Sequence, residues 1–290
     1  MNDFELLLCT DMDRTIIPNG TQSEHKKARK RFAEFCTLPN VTLVYVTGRH
    51  LQLVKEAIKL YTLPTPDYII SDVGTKIYHN MENTWKEITR WDEEIAKSWG
   101  GKSQNDLKSI LKNFNALKLQ ERSKQNTHKL SYYVSLHVYK DQLLAQIDQY
   151  LKEHSINASL VWSIDEPKGI GLLDILPKDA TKLHAIEFLY AELGYSIEHV
   201  VFAGDSGNDL PVMASSINSI LVANTASDIR ESAKKMAQQN DHAQTLFLAN
   251  GQHSDMNGNY SAGVLEGIGH FIPQLRRQLT EYGFDYEQLS

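Results

Sequence analysis

Four short polar motifs in this 290-residue sequence could carry chemistry, and each follows an apolar run. The first contains Asp11 and Asp13, in the segment DMDRT that follows the apolar residues 4–10. Open α/β sheets bind ligands at the carboxyl ends of their strands, so two carboxylates placed there could act on a substrate. An Asp-x-Asp pair is weak evidence by itself, because a chain of this length contains about one by chance and a solvated turn explains it equally well.

The last of the four motifs, GDSGND, also follows a buried run and precedes a helix. Its carboxylates Asp205 and Asp209 stand four residues apart at a turn, so both can face one point. Hard divalent cations such as Mg²⁺ prefer oxygen ligands of this kind. The competing interpretation is an Asx-rich turn that begins the helix.

Two weaker candidates lie between these motifs. In the segment TGR, the hydroxyl of Thr47 and the amide of Gly48 can donate to a phosphate oxygen, although a tight turn is the commoner explanation. Lys178 follows a predicted strand at residues 172–176, and a single loop lysine is usually a solvated charge. Its place at the end of a strand is what makes it a candidate.

The elements that must position these motifs alternate between strands and helices in two parts of the chain. The predicted strands are residues 4–10, 41–46, 68–71, 172–176, 199–203, 217–222 and 245–248, and the predicted helices are residues 21–38, 51–60, 180–193, 208–214, 226–238 and 263–282. Such alternation is typical of a parallel, doubly wound, Rossmann-like sheet.

The middle of the chain follows a different pattern. Residues 80–130 are rich in Lys, Asn, Glu and Trp, residues 132–139 alternate like a half-buried strand, and a turn-rich cluster at residues 166–169 closes the stretch. This pattern predicts an α+β unit with an antiparallel sheet. We therefore expect a core domain of residues 1–79 and 170–290 that is interrupted by an inserted domain of residues 80–169.

Composition narrows the class of protein. The formal net charge of −6 is unlike a nucleic-acid-binding surface, which is more often basic. No run approaches the roughly 18 apolar residues of a membrane helix, and the N-terminus lacks the pattern of a signal peptide. Two cysteines form neither a disulfide framework nor a four-sulfur zinc site. These features predict a cytoplasmic enzyme or small-ligand binder without nucleic-acid or membrane partners.

The four motifs are stronger evidence together than singly, because each of them follows a predicted strand of the same sheet. Together they resemble the haloacid dehalogenase-type phosphatases, whose pattern is D-x-D-x-T, then Thr or Ser, then Lys, then G-D-x-x-x-D. The segments TDMDRT, VYVTGR, SDVGTKIY, LDILPKDATK, GDSGNDL and YSAGVLEGIGHF are similar to the sucrose-phosphate phosphatase branch of that superfamily. The inserted α+β unit resembles the large cap of one branch of the superfamily, whose members act on small sugar phosphates, and the sucrose-phosphate phosphatases belong to that branch.

The resemblance implies a role for each carboxylate of the first motif. Asp11 would be the nucleophile and would form an aspartyl-phosphate intermediate. Asp13 would protonate the leaving sugar oxygen and then deprotonate the water that cleaves the intermediate. Because an acid must hold a proton before transfer, we expect neighbouring carboxylates to raise the pKa of Asp13.

The resemblance also implies the groups that bind the metal and the phosphate. Mg²⁺ would be bound by Asp11, the Asp13 main-chain carbonyl and Asp205, and Asp209 would lie next to these ligands and orient the waters on the metal. The phosphate ligands would be Thr47, Gly48, Asn208 and Lys178. Lys178 would in addition neutralise the charge that develops on the phosphoryl group and stabilise Asp11.

The cap is expected to close over the sugar and to supply specificity. Its polar residues 120–129 could contact sugar hydroxyls, and its aromatic side chains could stack on a sugar ring, although most would be cap core. These aromatic residues are Trp85, Trp91, Trp99, Tyr132, Tyr133 and Trp162.

The activity that the resemblance implies is hydrolysis of sucrose 6-phosphate to sucrose and phosphate. Three alternatives stay open. The substrate could be another glycosyl phosphate, such as mannosylfructose phosphate, glucosylglycerol phosphate or mannosyl-phosphoglycerate. The enzyme could be a phosphomutase with the same nucleophile. A non-catalytic binding protein on this fold is disfavoured, because Asp11 and Asp13 are both present. A sugar-phosphate synthase is a candidate partner.

Overall fold

The secondary structure follows the alternation of apolar and amphipathic segments. The computed structural model describes residues 5–165, 167–252 and 256–276. Its strands are β1 (Leu6–Thr10), β2 (Val41–Val46), β3 (Tyr68–Ser71), β4 (Lys76–Met81), β5 (Thr84–Glu87), β6 (Lys118–Leu119), β7 (Leu130–Val134), β8 (Ala158–Asp165), β9 (Ile170–Pro177), β10 (Val200–Gly204), β11 (Asn218–Leu221) and β12 (Leu246–Leu248). Its α-helices are α1 (Ala28–Phe35), α2 (Leu51–Tyr61), α3 (Thr89–Ala96), α4 (Gln104–Ile110), α5 (Lys140–Glu153), α6 (Lys182–Leu193), α7 (Leu210–Met213), α8 (Ser227–Gln239) and α9 (Ser261–Phe271).

The chain divides into two compact units. The first contains the chain up to Lys86 and the chain from Lys182 onward, and the second is the segment Glu87–Thr181 between them. The second unit is therefore an insertion in the first, as expected, although both of its boundaries lie later in the chain than predicted.

The first unit is built on an eight-stranded sheet with the order β12-β11-β10-β1-β2-β3-β4-β5. The strands from β12 to β3 pair in parallel, and β4 pairs antiparallel to β3. Every residue of β1 and β10 is buried, as the continuous apolar runs predict for strands covered on both faces. From β1 the chain moves to β2 on one side and later returns to β10 on the other. The order of the strands thus reverses at β1, the kind of point where ligands bind in open α/β sheets.

The second unit has a four-stranded antiparallel sheet with the order β6-β7-β9-β8. Its own apolar core includes Trp99, Leu107, Ile147 and Leu173, each with no exposed surface. An antiparallel sheet and a separate core are what the sequence of this segment predicts. The protein is therefore an α/β protein with a parallel-sheet core and an inserted α+β unit.

One predicted strand belongs to the other sheet. Residues 172–176 were expected to join the parallel sheet, but they lie in β9, which pairs with both β7 and β8 of the second unit. The residues of β9 alternate between buried and half-buried over most of its length, as in a sheet with one covered face. A short apolar run does not reveal its strand partners, and this is why the predicted boundary at residue 170 was placed too early.

Two helices differ from their predicted bounds by more than two residues. The helix expected at residues 21–38 spans only Ala28–Phe35, without a side-chain cap at its start. The helix expected at residues 263–282 ends at Phe271, ahead of Pro273, whose ring cannot continue a helix. Residues 4, 166 and 277–282 fall in predicted segments but lie outside the described residues. Within the described part of the chain, no helix is long and apolar enough to span a membrane.

Candidate active site

The ends of three neighbouring strands of the first unit bring the polar motifs together. Asp11 follows β1, Thr47 follows β2 and Asp205 follows β10, and these three strands are adjacent in the sheet. The strand ends open on a cavity of about 480 Å³. The residues that line it are Asp11, Asp13, Arg14, Thr47, Gly48, Arg49, Leu53, Asp205, Ser206, Gly207, Asn208, Ala226 and Ile229. Two motifs far apart in sequence, DMDRT and GDSGND, therefore face the same space.

Three carboxylates form a buried cluster at this edge of the sheet. Asp11, Asp205 and Asp209 each offer an oxygen, and these oxygens lie within 4.8 Å of one another. The three residues are 6%, 5% and 0% exposed. An all-oxygen set of this kind suits a hard divalent cation, so the residues present fit Mg²⁺.

Lys182 is the cation inside this cluster. Its Nζ lies 2.9 Å from Asp11 Oδ1 and 2.7 Å from Asp209 Oδ1, and its side chain is 1% exposed. Burial disfavours its ammonium, but the two carboxylates outweigh that effect and raise the pKa of Lys182 above its usual value. The buried lysine is therefore charged and ties the first strand end to the GDSGND turn.

Lys178, the lysine predicted for this role, is an exposed residue of the second unit, just after β9, and its amide donates to the carbonyl of Asn157. The predicted placement is wrong for the same reason as the predicted boundary, since the strand before it belongs to the other sheet. The segment PKDATK contains both lysines, and only the second one begins α6.

Asp209 is held by several donors. Its Oδ2 accepts from the amides of Asp205 at 3.1 Å and Ser206 at 3.0 Å and from the Ser206 hydroxyl at 2.9 Å. Its Oδ1 accepts from Lys182. This carboxylate therefore orients the turn and the lysine.

Burial also controls the protonation of the other two carboxylates. It raises the pKa of Asp11 to about 7, although the charge of Lys182 lowers it. It raises the pKa of Asp205 to about 6, with a further contribution from the negative charge of Asp209. Three carboxylates in a low-dielectric site repel each other, and this repulsion is what a bound cation relieves.

Asp13 is more exposed and differs from the prediction. Arg49 binds it with two hydrogen bonds, from Nε to Oδ2 at 2.7 Å and from Nη2 to Oδ1 at 2.6 Å, and Asn19 Nδ2 donates to Oδ1 at 2.7 Å. Burial alone would raise the pKa of Asp13, but the Arg49 contacts outweigh it, so the pKa lies below its usual value. The expectation of a raised pKa is therefore wrong, because the nearest charge is a guanidinium and not a carboxylate.

The remaining predicted residues line the cavity. Thr47 is 1% exposed, and its hydroxyl accepts from the Arg49 amide at 3.2 Å. Gly48 lines the cavity, and a Cβ built on it would meet only a Val73 methyl group at 3.8 Å. Asn208 Oδ1 accepts from the Ser206 hydroxyl at 2.7 Å.

Sequence reasoning missed three polar side chains of the site. Arg14 and Arg49 belong to the motifs DMDRT and TGR, whose carboxylate, hydroxyl and amide groups alone carry a predicted role, and each contacts a carboxylate of the site. Lys182 is the third such side chain. The sequence signal that could have found it is the second lysine of the segment PKDATK, near the start of the helix predicted for residues 180–193.

The aromatic side chains proposed for sugar stacking are mainly structural. Trp91 and Trp99 have no exposed surface, and Tyr132 is 5% exposed. Trp85 packs against the core of the first unit, and Trp162 packs against that of the second. Tyr133 is half-buried, and its hydroxyl donates to Glu121.

The polar segment of residues 120–129 lies beside β7 in the second unit. Its Gln125 donates to the Ser131 carbonyl and accepts from the Ser131 amide. Ser131 also donates to Asp174, which forms an ion pair with Lys129 at 3.3 Å. These groups form a polar network around β7.

Comparison with known proteins gives a consistent result across nearly the whole chain. Residues 4–272 match the sequence model of the sucrose-6F-phosphate phosphohydrolase family. A protein of Nitrosococcus oceani with the general name HAD-like hydrolase is 46% identical over 94% of this chain and 73% of its own length. The mannosylfructose-phosphate phosphatase of Agrobacterium fabrum is 27% identical over 91% of this chain and 96% of its own.

Longer relatives and a solved structure complete the comparison. Sucrose-phosphatase 1 of Nicotiana tabacum is 27% identical over 92% of this chain, which spans only 59% of the tobacco protein. The sucrose-phosphatase of Synechocystis sp. PCC6803, solved in complex with sucrose and phosphate, superposes with a TM-score of 0.68 at 25% identity. That match covers 92% of this chain and 98% of the Synechocystis chain.

Proposed function

Because the chain belongs to the sucrose-6F-phosphate phosphohydrolase family, we propose that it is a Mg²⁺-dependent phosphatase that hydrolyses sucrose 6-phosphate to sucrose and phosphate. The observation that carries the proposal is the buried cluster of Asp11, Lys182 and Asp209 beside Asp205. A cluster of this kind neutralises charge and fixes a nucleophile, which are the two requirements of phosphoryl transfer.

Asp11 is the proposed nucleophile. Its carboxylate attacks phosphorus, the P–O bond to the sugar breaks, and an aspartyl phosphate forms. Only the ionised carboxylate attacks. The Lys182 ammonium, whose Nζ lies 2.9 Å from Asp11 Oδ1, favours that ionised form. Water then attacks phosphorus, the bond to Asp11 breaks, and inorganic phosphate leaves.

Asp13 is the proposed proton carrier. In the first step it gives a proton to the sugar oxygen, and in the second it takes one from the attacking water. The two hydrogen bonds from the Arg49 guanidinium favour the ionised form of Asp13, and that form can accept the proton in the second step. To deliver a proton in the first step, Asp13 must exchange part of its Arg49 contact for the leaving oxygen of the substrate.

The family resemblance supplies the proposed metal and phosphate ligands. Asp11, Asp205 and the main-chain carbonyl of Asp13 would bind Mg²⁺, while Asp209 holds Lys182 and the turn. When bound, Mg²⁺ supplies positive charge to the phosphoryl group and to the carboxylates. Thr47, Gly48 and Asn208 line the cavity and are the proposed donors to phosphate oxygens.

The sugar is the finer part of the proposal. Sucrose is favoured by the family and by the Synechocystis structure that contains sucrose and phosphate. The second candidate is mannosylfructose phosphate, because the Agrobacterium phosphatase matches at the same identity as the tobacco enzyme and over 96% of its own length. In both cases the inserted unit is the proposed source of sugar specificity, through the polar network around β7.

A substrate panel tests the proposal. Phosphate release with Mg²⁺ should be faster from sucrose 6-phosphate than from mannosylfructose phosphate, glucosylglycerol phosphate or mannosyl-phosphoglycerate. Glucose 6-phosphate is the simple hexose phosphate, and we expect its kcat/KM to be lower by about two orders of magnitude. Equal rates for sucrose 6-phosphate and glucose 6-phosphate would contradict the sucrose assignment.

Two controls accompany the panel. Asp11→Asn should remain folded and lose turnover of every substrate, because the amide is not a nucleophile. Chromatography of the products separates a phosphatase, which releases free phosphate, from a phosphomutase, which yields an isomerised sugar phosphate. A synthase partner and a cytoplasmic location stay predictions.

A further inference from the structure

Arg14 has an unusual backbone that is fixed from two sides. Its φ is +59°, a left-handed conformation that residues with a Cβ seldom adopt. Its amide donates to Asn19 Oδ1 at 2.9 Å and to the Ile17 carbonyl at 3.0 Å. Its carbonyl accepts from Asn224 Nδ2 at 2.7 Å. Contacts on both sides of the residue therefore set the direction in which its side chain leaves the backbone.

The guanidinium of Arg14 reaches the acidic cluster. Its Nε lies 3.2 Å from Asp205 Oδ2, and its Nη2 donates to the Asn224 carbonyl at 3.4 Å. The Arg14 side chain is 44% exposed, whereas that of Asp205 is 4% exposed. Arg14 thus brings a positive charge from the open cavity to a buried carboxylate.

Asp205 is the carboxylate of the cluster that is held least tightly. Its contacts are with Arg14 at 3.2 Å and with the Thr15 hydroxyl at 3.4 Å. By contrast, Asp11 and Asp209 accept from Lys182 at 2.9 and 2.7 Å. Asp205 is therefore the carboxylate that an entering cation can bind most easily. The group that such a cation must displace from Asp205 is the Arg14 guanidinium.

We propose that Arg14 is a built-in counter-cation of the site, which binds Asp205 before a divalent cation does and thereby lowers the affinity of the site for that cation. This inference rests on the proposed function, because it takes the acidic cluster to be the Mg²⁺ site. Arg14 acts through Asp205 and is a positioning residue. Two positive charges at one carboxylate repel each other, so the cation binds only as far as it displaces the guanidinium or overcomes its charge.

Calorimetry with Mg²⁺ alone tests this inference on the full chain, after EDTA treatment and dialysis and without substrate. Titrations at pH 8 keep Asp11 and Asp205 ionised, since their pKa values are about 7 and about 6. Arg14→Gln removes the charge, and we expect the Kd for Mg²⁺ to fall by about three- to tenfold. Arg14→Asn should show the same change and suits the left-handed backbone, so it replaces Arg14→Gln if that variant fails to fold.

Charge-matched controls isolate the effect. Arg14→Lys keeps the positive charge and should bind Mg²⁺ within about twofold of the wild type. Arg29→Gln breaks a comparable Arg–Glu24 pair, at 2.7 Å in the same unit, and should leave the Kd unchanged. An unchanged or weaker affinity in both Arg14→Gln and Arg14→Asn overturns the role of Arg14.

A further variant distinguishes an error in the role of Arg14 from an error in the proposed cation site. Asp205→Asn should abolish Mg²⁺ binding in the same titration. If the wild type binds Mg²⁺ and Asp205→Asn binds it equally well, the cation site is wrong and the Arg14 inference is overturned with it. Absence of Mg²⁺ binding in the wild type likewise overturns both. If Asp205→Asn loses binding but the uncharged Arg14 variants do not tighten it, only the Arg14 inference is overturned.

Discussion

Lys182 is the side chain on which the charge balance of the site depends. It is almost fully buried between Asp11 and Asp209, and both carboxylates would lose their bonded cation without it. Removing one partner from a buried ion pair is costly, because the remaining charge keeps its desolvation penalty and loses its compensation. The same lysine fixes the proposed nucleophile, so stability and activity are coupled at this residue.

Replacement of the two lysines tests this assignment at the residue scale. Lys182→Gln should lower the free energy of unfolding by about 3–5 kcal/mol. It should also lower kcat by about 10²-fold or more, since a charged group beside the proposed nucleophile Asp11 is lost. Urea unfolding and phosphate release from the folded fraction measure the two effects.

Lys178→Gln is the matched control, because Lys178 is exposed and four residues away in sequence. Its free energy of unfolding should stay within about 0.5 kcal/mol of the wild type, as for most surface substitutions. A loss of activity in Lys178→Gln as large as that in Lys182→Gln would contradict the assignment of the site lysine.

At the scale of elements, the end of β10 and the turn after it position the second half of the cluster. Gly204 ends the strand, and a Cβ built there would lie 2.6 Å from both Cγ and Oδ2 of Asp209. The Asp209 carboxylate therefore packs directly over this glycine. The Gly-Asp pair of the GDSGND motif reflects that close approach as well as the chemistry of the carboxylates.

Two glycine-to-alanine substitutions should distinguish the overlap with Asp209 from the mere loss of a glycine. Gly204→Ala displaces Asp209, so Lys182 loses a partner, and we expect a destabilisation of about 1–3 kcal/mol together with reduced turnover. Gly207→Ala is the control, because its Cβ would meet only Ile229 Cδ1 at an ordinary 3.7 Å. Thermal unfolding and phosphate release report both effects. Equal losses in the two variants would show that the overlap with Asp209 does not matter.

At the scale of the whole molecule, the net charge of −6 is compatible with an anionic substrate. The proposed site contributes four carboxylates, Asp11, Asp13, Asp205 and Asp209, and a divalent cation reverses the local sign. The metal-free protein therefore carries a repulsion that depends on pH. This repulsion connects the chemistry of the site to the stability of the fold.

The sign of that pH dependence follows from the raised pKa values. Burial raises the pKa of Asp11 from 3.8 to about 7 and that of Asp205 from 3.8 to about 6. Between pH 4 and 7 the folded state therefore binds more protons than the unfolded state, and stability is lost as pH rises. We expect the metal-free protein to lose on the order of a few kcal/mol of unfolding free energy between pH 5 and pH 8.

Thermal unfolding with and without Mg²⁺ measures this effect. Mg²⁺ should raise Tm more at pH 8 than at pH 5, because a cation binds the ionised carboxylates. Asp11→Asn removes one titrating group and should flatten the pH dependence of the metal-free protein. A metal-free Tm that rises from pH 5 to pH 8, or an Asp11→Asn profile identical to the wild type, would contradict this explanation.

Local sequence determined the core strands of this protein and the positions of its polar motifs. The apolar runs of β1, β2 and β10 and the motifs that follow them depend on neighbouring residues alone, because burial on both faces requires uninterrupted apolar side chains. The parallel core, the inserted unit and the convergence of Asp11, Thr47 and Asp205 could therefore be predicted.

Only the tertiary structure decided which sheet β9 joins, because strand pairing is non-local. The pairing of β9 with the second unit's sheet explains why Lys182, and not Lys178, lies in the cluster. The ionised state of Asp13 was decided in the same way, because its pKa depends on the guanidinium of Arg49, which is 36 residues away in sequence and 2.6 Å away in space.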